Sequence, residues 1–223
     1  MKTPKRTQVS TEERERAFWE QKAKHYDSSM KLLGRPLPRI LELTAESVSG
    51  ADTTLEVAAG TGLVTAAIAP HTRRLVATDY AEAMLSALRE RIAAAGLSNV
   101  ELARADIYAL DYPTATFDVV VASNVLHLVP DLANALAALR RVLRPGGKLV
   151  APTFCHDETR LSWVLSRLLA IAGQPMHQRF TAASLRQALE IEGLRVGRSE
   201  TVTGPIPIVF IEAISPNSDS AAG

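Results

Sequence analysis

Hydrophobic and polar positions change their period along the chain, and this change predicts alternating strands and helices. Short, nearly continuous apolar runs predict strands at Thr53–Val57, Arg74–Thr78, Val100–Ala103, Phe117–Ala122 and Lys148–Thr153. Apolar runs without polar alternation are typical of parallel strands that are buried on both faces. The pattern therefore predicts an α/β fold, in which helices cover both faces of a mostly parallel sheet.

Segments between these strands carry apolar residues at helical spacing and residues that can begin or end a helix. One predicted helix has its apolar face at Met84, Leu85, Leu88 and Ile92 and ends at Gly96. Asp131 is placed to cap a second helix, which Pro145-Gly146-Gly147 would end, and Thr181 is placed to cap a third. These helices are expected to connect the parallel strands.

The two ends of the chain predict additions to this sheet. Leu194–Val202 and Ile206–Ile214 predict two further strands, and the turn between them is too short for anything but an antiparallel hairpin. Ahead of the first strand, helices beginning at Ser10 and over Pro38–Val48 predict a helical cover. We expect a single domain over residues 1–223, with the cover at 1–50, the α/β core at 51–214 and a flexible tail at 215–223.

Composition narrows the class of protein. The chain has 223 residues and a net charge of +1 from 25 basic and 24 acidic residues, so it lacks the basic excess of a nucleic-acid-binding protein. A single cysteine excludes an intrachain disulfide and a cysteine-built metal site. No signal peptide or membrane-spanning run is found. We expect a cytoplasmic monomer or homodimer with no metal and no nucleic-acid partner.

The candidate chemistry begins in the loop after the first predicted strand. This loop contains Gly60 and Gly62 and leads into a helix that begins near Leu63. Glycines allow a ligand to approach the backbone closely, and the start of the helix favours an anionic or carboxylate-bearing ligand. A strand, a glycine loop and a helix in this order predict a nucleotide-type binding crevice.

Further loops leave the carboxyl ends of the parallel strands and are expected to meet at this crevice. They carry Asp79-Tyr80, Ala105-Asp106-Ile107 and Ser123–His127. Asp79 follows the glycine loop at about the 20-residue spacing at which an acidic residue meets a ribose diol. A nicotinamide site is an alternative, but Thr65 stands where a dinucleotide fingerprint has its third small residue, and the acidic Glu56 ends the strand.

Successive motifs in this chain resemble those of the class I S-adenosylmethionine-dependent methyltransferases. The motifs are Leu55–Gly62, Asp79, Ala105-Asp106 and Phe117–Val121. Three further segments resemble the small-molecule branch that includes enzymes of the ubiquinone/menaquinone-biosynthesis type: Phe18-Trp19 with His25-Tyr26-Asp27, Asn124–Asp131, and Leu143–Leu149. The resemblance implies a Rossmann-like, seven-stranded, mostly parallel sheet with a C-terminal antiparallel hairpin. It also implies a methyltransferase (EC 2.1.1.-) that uses S-adenosyl-L-methionine and releases S-adenosyl-L-homocysteine.

The same resemblance implies which residues bind the cofactor. They are Tyr26, Glu56, Ala58, Gly60, Gly62, Asp79, Tyr80, Met84, Asp106, Ile107, Ser123 and Asn124. In the family pattern Gly60 and Gly62 line the methionine portion of the cofactor. Glu56, the acid at the strand end, faces the methionine amino group, and Asp79 accepts the ribose hydroxyls. Tyr80 and Ile107 would then enclose the adenine, and Asp106 would accept its amine. Ala58 departs from the family pattern, which usually has glycine there.

The sequence narrows the class of the methyl acceptor but does not identify the molecule. Ser123-Asn124-Val125-Leu126 lacks the Asn/Asp-Pro-Pro-aromatic string found in enzymes that methylate base or glutamine amino groups. Apolar residues in Phe154–Phe180 predict either a helix packed on the sheet edge or, together with Phe18–Leu37, a wall for an apolar acceptor such as a quinone-like, lipid or secondary-metabolite molecule. An interfacial membrane helix is a third interpretation of that segment.

Two questions about the chemistry stay open at this point. His127 is a candidate catalytic base, with a packed or capping histidine as the alternative, whereas His156 and His177 are expected at the surface unless the cover folds over them. A non-catalytic cofactor-binding subunit, an aminopropyl- or alkyl-transferring relative, and an RNA or protein methyltransferase are the alternative functions. Each of them would bind the same type of cofactor.

Overall fold

A computed structural model describes residues 11–23, 36–171 and 175–217 of the chain. Its helices are α1 (Thr11–Lys22), α2 (Pro36–Val48), α3 (Leu63–Ile68), α4 (Glu82–Ala94), α5 (Leu132–Val142), α6 (Arg160–Ile171) and α7 (Ala182–Ile191). Its strands are β1 (Ala51–Glu56), β2 (Thr72–Asp79), β3 (Val100–Arg104), β4 (Phe117–Val121), β5 (Leu143–Val150), β6 (Thr153–Phe154), β7 (Arg195–Val202) and β8 (Ile208–Ile214). The predicted alternation of strands and helices is confirmed.

The eight strands join one sheet in the order β3-β2-β1-β4-β5-β8-β6, and β7 also pairs with β8. Strands β1 to β5 run parallel, whereas β8 is antiparallel to both β5 and β7. Chain order reverses between β1 and β4, and the carboxyl ends of strands at such a reversal form the usual ligand crevice of an open α/β sheet. The C-terminal hairpin predicted from the sequence is therefore present.

The sheet has one addition to the seven predicted strands. The run predicted as one strand over Lys148–Thr153 is divided into β5 and β6, which pair in turn with β8. Pro152 separates them and has no backbone N–H to donate to the ladder. The helix before β5 ends at Val142, ahead of the predicted stop at Pro145-Gly146-Gly147, because Leu143 already pairs with Phe117.

Side chains that alternate along the strands divide the core between the two faces of the sheet. Leu55, Val120 and Leu149 belong to a cluster that includes residues of α5 and α7. On the other face, Val119 and Val150 belong to a cluster that includes residues of α2 and α3. Helices therefore cover both faces, as the two-sided burial of the parallel strands requires.

Helix caps follow the sequence prediction at two positions. The Asp131 carboxylate accepts a hydrogen bond from the backbone N–H of Asn134 at 3.0 Å. Thr181 and Ser184 form a reciprocal capping box at the start of α7. Predictions for Ser10, for the segment His25–Asp27 and for residues 218–223 lie outside the described residues. No helix in the described ranges is long and apolar enough to cross a bilayer.

Gly62 explains why the glycine loop can pack against α4. Its φ is +85°, and a Cβ there would lie 2.3 Å from Leu88 Cδ1 and 3.3 Å from the Arg91 side chain. Gly50 has a similar φ of +79°, but nothing lies within 4 Å of the position that a Cβ would occupy there. The two glycines therefore share a backbone conformation that L-residues disfavour, and they differ in the space around them.

We expect Gly62→Ala to destabilise the protein more than Gly50→Ala. The left-handed conformation should cost each variant about 1–2 kcal/mol, and forcing Leu88 aside should cost Gly62→Ala about 1–3 kcal/mol more. Guanidinium unfolding of the two variants measures this difference. Equal losses of unfolding free energy would show that the Leu88 side chain moves away without cost.

Candidate functional site

One cavity lies at the carboxyl ends of the parallel strands, and the predicted loops supply most of its lining. The loop after β1 contributes Val57, Ala58 and Gly60. Ala58 has a φ of +51° and Gly60 a φ of +57°. The left-handed backbone of Ala58 accounts for the glycine that the family pattern has at this position.

Asp79 ends β2 and lines the cavity, and each oxygen of its carboxylate accepts a hydrogen bond from a backbone N–H. Its Oδ2 accepts a hydrogen bond from the Gly60 N–H at 2.9 Å, and its Oδ1 accepts one from the Ala81 N–H at 2.9 Å. Burial raises the pKa of this carboxyl above its usual range, while the backbone N–H donors act in the opposite direction. Asp79 thus links the glycine loop to the start of α4 and holds a hydrogen-bond acceptor at the cavity.

The neighbouring residues of the second and third loops complete this side of the cavity. Tyr80 and Met84 line it from the α4 side. Asp106 and Ile107 line it from the loop after β3, where Asp106 Oδ1 accepts a hydrogen bond from the Tyr108 N–H at 3.0 Å. The structure therefore brings together two of the three predicted carboxylates, those of Asp79 and Asp106, with both residues predicted to enclose an adenine.

The loop after β4 supplies buried polar atoms that have no hydrogen-bond partner in the described part of the chain. Ser123 Oγ and Asn124 Oδ1 are buried and have no hydrogen-bond partner among the described residues. Both residues line the cavity. Asn124 also has a φ of +53°. Buried polar atoms are normally paired, and strained backbone is concentrated at binding sites. These two observations indicate that the cavity holds a ligand with polar groups.

Apolar residues form the remaining wall of the cavity beside Ser123 and Asn124. They are Val125, Leu128, Val129, Pro130 and Pro175. The segment that carries Pro175 is fixed to the fourth loop, because the backbone N–H groups of His177 and Gln178 both donate to the His127 carbonyl at 3.0 Å.

Two of the predicted cofactor residues lie behind the lining instead of in it. Glu56 is 1% exposed, and its carboxyl accepts a hydrogen bond of 2.6 Å from Thr65 Oγ1. Burial raises the pKa of Glu56 to about 8, against the opposing effect of the Thr65 hydrogen bond. Gly62 also lies outside the lining, and its contacts are with α4. Tyr26 lies outside the described residues.

His127 is not brought to the cavity. Its ring is buried against Phe154 and His156, with ring centroids 5.6 Å and 5.1 Å away. Burial, with a smaller effect from His156, lowers the pKa of His127 to about 3. His156, which the sequence placed at the surface, is 2% exposed, and its Nδ1 lies 2.8 Å from Ser166 Oγ. The surface prediction for His156 is therefore wrong, because α6 packs over it.

Most of the described part of the segment Phe154–Phe180 does not form the predicted wall of the cavity. Leu165 and Leu169 of α6 pack against the core, so the helix covers the sheet edge. Trp163, Val164 and Leu168 are exposed and absent from the cavity lining. Only Pro175 of the described part of this segment lines the cavity.

Trp19 lines the cavity although sequence reasoning did not assign it to the cofactor site. It lies in α1, within the segment predicted to form the acceptor side. Tyr108 was also missed, although it lines the cavity and its hydroxyl accepts a hydrogen bond from the Asp131 N–H at 3.1 Å. The adjacent Asp106-Ile107 motif was the available signal for Tyr108. No group of His, Cys, Asp and Glu with metal-binding geometry occurs in the described ranges.

Comparisons with known proteins agree with this geometry. Residues 55–151 match the family described as "Methyltransferase domain". The chain is 33% identical over 146 residues to a ubiquinone/menaquinone biosynthesis C-methyltransferase of Teredinibacter turnerae, a match that covers 62% of this chain and 59% of that protein. It is 30% identical over 148 residues to a demethylmenaquinone methyltransferase of Shouchella clausii, with 63% of each chain covered. The match thus spans about three-fifths of these curated relatives.

Solved structures share the fold. An S-adenosylmethionine-dependent methyltransferase from Aquifex aeolicus superposes with a TM-score of 0.69 at 22% identity, covering 88% of this chain and 98% of that one. At this identity the similarity establishes the architecture.

Proposed function

We propose that this chain is a class I S-adenosylmethionine-dependent methyltransferase and that it methylates a small apolar or aromatic molecule, since its residues 55–151 match the methyltransferase domain family. The observation that carries the proposal is the convergence of Gly60, Asp79, Asp106 and Asn124 on one cavity from four separate strand ends. These residues supply the backbone approach, the carboxylates and the polar rim that an adenosyl amino-acid ligand requires.

The residues present fit the cofactor. Asp79 would accept the ribose hydroxyls, since its carboxylate is already oriented by the Gly60 and Ala81 N–H groups. Asp106 would accept the adenine amine, and Tyr80 with Ile107 would enclose the ring. Met84 would contact the nucleoside from α4. When bound, S-adenosylmethionine supplies an activated methyl group on its sulfonium.

The glycine loop would hold the methionine end of the cofactor. Ala58 and Gly60 line the cavity and would contact that end directly. Glu56 and Gly62 would act from behind the lining, Glu56 by fixing the loop through Thr65 and Gly62 by allowing α4 to approach. The predicted contact of Glu56 with the methionine amino group, and that of Tyr26, stay predictions.

The acceptor subsite would lie beside Ser123 and Asn124, next to the apolar wall that includes Leu128, Val129 and Pro175. An acceptor with an apolar body and a polar substituent would fill this wall and pair with Ser123 Oγ and Asn124 Oδ1. A quinone-like ring has this chemistry. The names of two relatives, a ubiquinone/menaquinone biosynthesis C-methyltransferase and a demethylmenaquinone methyltransferase, support it. Lipid and secondary-metabolite acceptors fit the same description.

Alignment of donor and acceptor would supply most of the rate enhancement. Well-oriented intramolecular reactions reach effective molarities of about 10⁵–10⁸ M. His127 would take no part in proton transfer, because its ring is buried against Phe154 and His156 and does not line the cavity. A base is required only for an acceptor that is protonated at working pH.

The location and assembly of the protein complete the proposal. We expect a cytoplasmic monomer or homodimer whose partner is the small-molecule acceptor, with the whole chain forming one domain. With a single cysteine, Cys155, the chain forms no intrachain disulfide, and this composition supports a reducing compartment.

Incubation with methyl-labelled S-adenosylmethionine and a panel of quinols, phenols and amines tests the proposed function. We expect S-adenosylhomocysteine and a labelled acceptor, both detected by mass spectrometry. Binding of the cofactor without any product would instead indicate a non-catalytic subunit. Label transferred only to RNA or protein would replace the small-molecule acceptor, and a different nucleoside product would indicate alkyl transfer.

A further inference from the structure

Helix α1 places an aromatic side chain at the cavity. It packs against α4, and Trp19 on this helix lines the cavity together with Asp79, Tyr80 and Met84. Trp19 forms an edge-to-face pair with Phe18, whose centroid lies 5.1 Å away. The position of α1 therefore decides whether this wall of the cavity is closed.

Helix α1 has few apolar residues that could hold it against α4 by hydrophobic packing. Ala17, Phe18 and Trp19 are consecutive, so they cannot all face α4 on a helix with 3.6 residues per turn. The rest of the helix is almost entirely polar or charged. By contrast, α2 buries Ile40, Leu43 and other residues on one face. A polar interaction with α4 adds to this packing.

The carboxylate of Glu20 provides that interaction. Its Oε1 accepts a hydrogen bond from the Glu82 N–H and its Oε2 accepts one from the Ala83 N–H, both at 2.9 Å. These donors are the first N–H groups of α4, which have no partner within their own helix. A carboxylate at this end is also favoured by the helix dipole.

We infer that α1 is a lid over the cofactor cavity and that Glu20 is the positioning residue that holds it closed. The inference rests on the proposed function, since it assigns the cavity to the cofactor. Glu20 and Trp19 are adjacent, so a bond between Glu20 and α4 fixes the Trp19 ring against the cavity. Asp79 lies at the same helix start, where its Oδ1 accepts from the Ala81 N–H, so the lid and the ribose-binding acid share one anchor.

Tryptophan fluorescence can follow this lid directly. The chain has two tryptophans, and the other, Trp163, is exposed on α6 and does not line the cavity. In a Trp163→Phe background the emission reports Trp19 alone. The variants are Glu20→Ala, which removes both bonds, and Glu20→Gln, which keeps one side-chain acceptor. Glu90→Gln, at an exposed position of α4, is the control for the change in charge.

We expect Glu20→Ala to make Trp19 more accessible to acrylamide without ligand and to speed the dissociation of S-adenosylhomocysteine about tenfold, as for the loss of a charged helix-terminus contact. Glu20→Gln should fall between it and the parent, and Glu90→Gln should match the parent. Thermal melts by circular dichroism verify that each variant is folded.

Unchanged Trp19 accessibility and an unchanged dissociation rate in Glu20→Ala would overturn the inference. Altered accessibility with an unchanged rate would also overturn it, because the lid would then not retain the ligand. If the parent protein bound no S-adenosylhomocysteine, the proposed function would fail. The attachment of the lid by Glu20 would then still be judged by the quenching of Trp19 without ligand.

Discussion

Replacing Asp79 with alanine is expected to weaken S-adenosylhomocysteine binding by about 100-fold or more. Hydrogen bonds to a charged group contribute about 1.5–3 kcal/mol each, and Asp79 would accept both ribose hydroxyls. The variant also removes the acceptor that fixes the Gly60 and Ala81 N–H groups at 2.9 Å. The ligand would thus lose its partner and a part of the loop geometry at the same time.

Isothermal titration calorimetry of Asp79→Ala against Asp52→Ala measures this effect. Asp52 is an exposed aspartate at the opposite end of the neighbouring strand, in weak contact with Arg73 at 3.7 Å. Its replacement removes the same charge far from the cavity and should leave the affinity unchanged. Equal affinities for the two variants would remove Asp79 from the cofactor site.

Ionisation of Glu56 is expected to make the unfolding free energy of the protein depend strongly on pH. The unfolded-state pKa of this carboxyl is near its ordinary value of 4.5, and burial raises the folded-state pKa to about 8. The folded protein therefore holds the proton more tightly than the unfolded chain. The resulting stability is fully present below the unfolded-state pKa and is lost as the pH rises towards the folded-state pKa.

We expect the wild-type protein to lose about 3 kcal/mol of unfolding free energy relative to Glu56→Gln between pH 5 and pH 8. Glutamine keeps the size and an acceptor for Thr65, and it has no charge to bury. Urea unfolding of both proteins across this pH range gives the difference directly. Asp79 titrates in both proteins, and its repulsion of the Glu56 carboxylate is one of the causes that raise the pKa of Glu56.

Glu101→Gln is the matched control for this pH dependence. Glu101 is exposed, and its hydrogen bonds with Arg74 lower its pKa, so its replacement should not reproduce the Glu56 effect. A difference between wild type and Glu56→Gln that stayed constant from pH 5 to pH 8 would show that Glu56 is already ionised in the folded protein.

Much of this fold was accessible from the sequence because its elements are locally encoded. The apolar run of β4 and the caps at Asp131 and Thr181 depend on residues close together in the chain, and each is found where it was predicted. The motifs also implied a class I methyltransferase, and residues 55–151 match the methyltransferase domain family.

The parts that the sequence did not supply depend on distant contacts. His156 is an isolated polar residue in the pattern, and only the packing of α6 shows that it is buried. Trp19 lines the cavity from α1, and the neighbouring Glu20 contacts Glu82 of α4, which is 62 positions away in the chain. Leu143 belongs to a strand because Phe117 pairs with it, although its spacing continues that of α5. No periodicity can encode such pairings.

The central claim is that the cavity between Asp79, Asp106 and Asn124 binds S-adenosylmethionine. A crystal structure of the protein with S-adenosylhomocysteine tests it most directly. The account predicts that the ribose hydroxyls contact Asp79, that the adenine lies beside Asp106 and that the sulfur faces the subsite at Ser123 and Asn124. Ligand density outside this cavity, or a cavity without ligand at a saturating concentration, would contradict it.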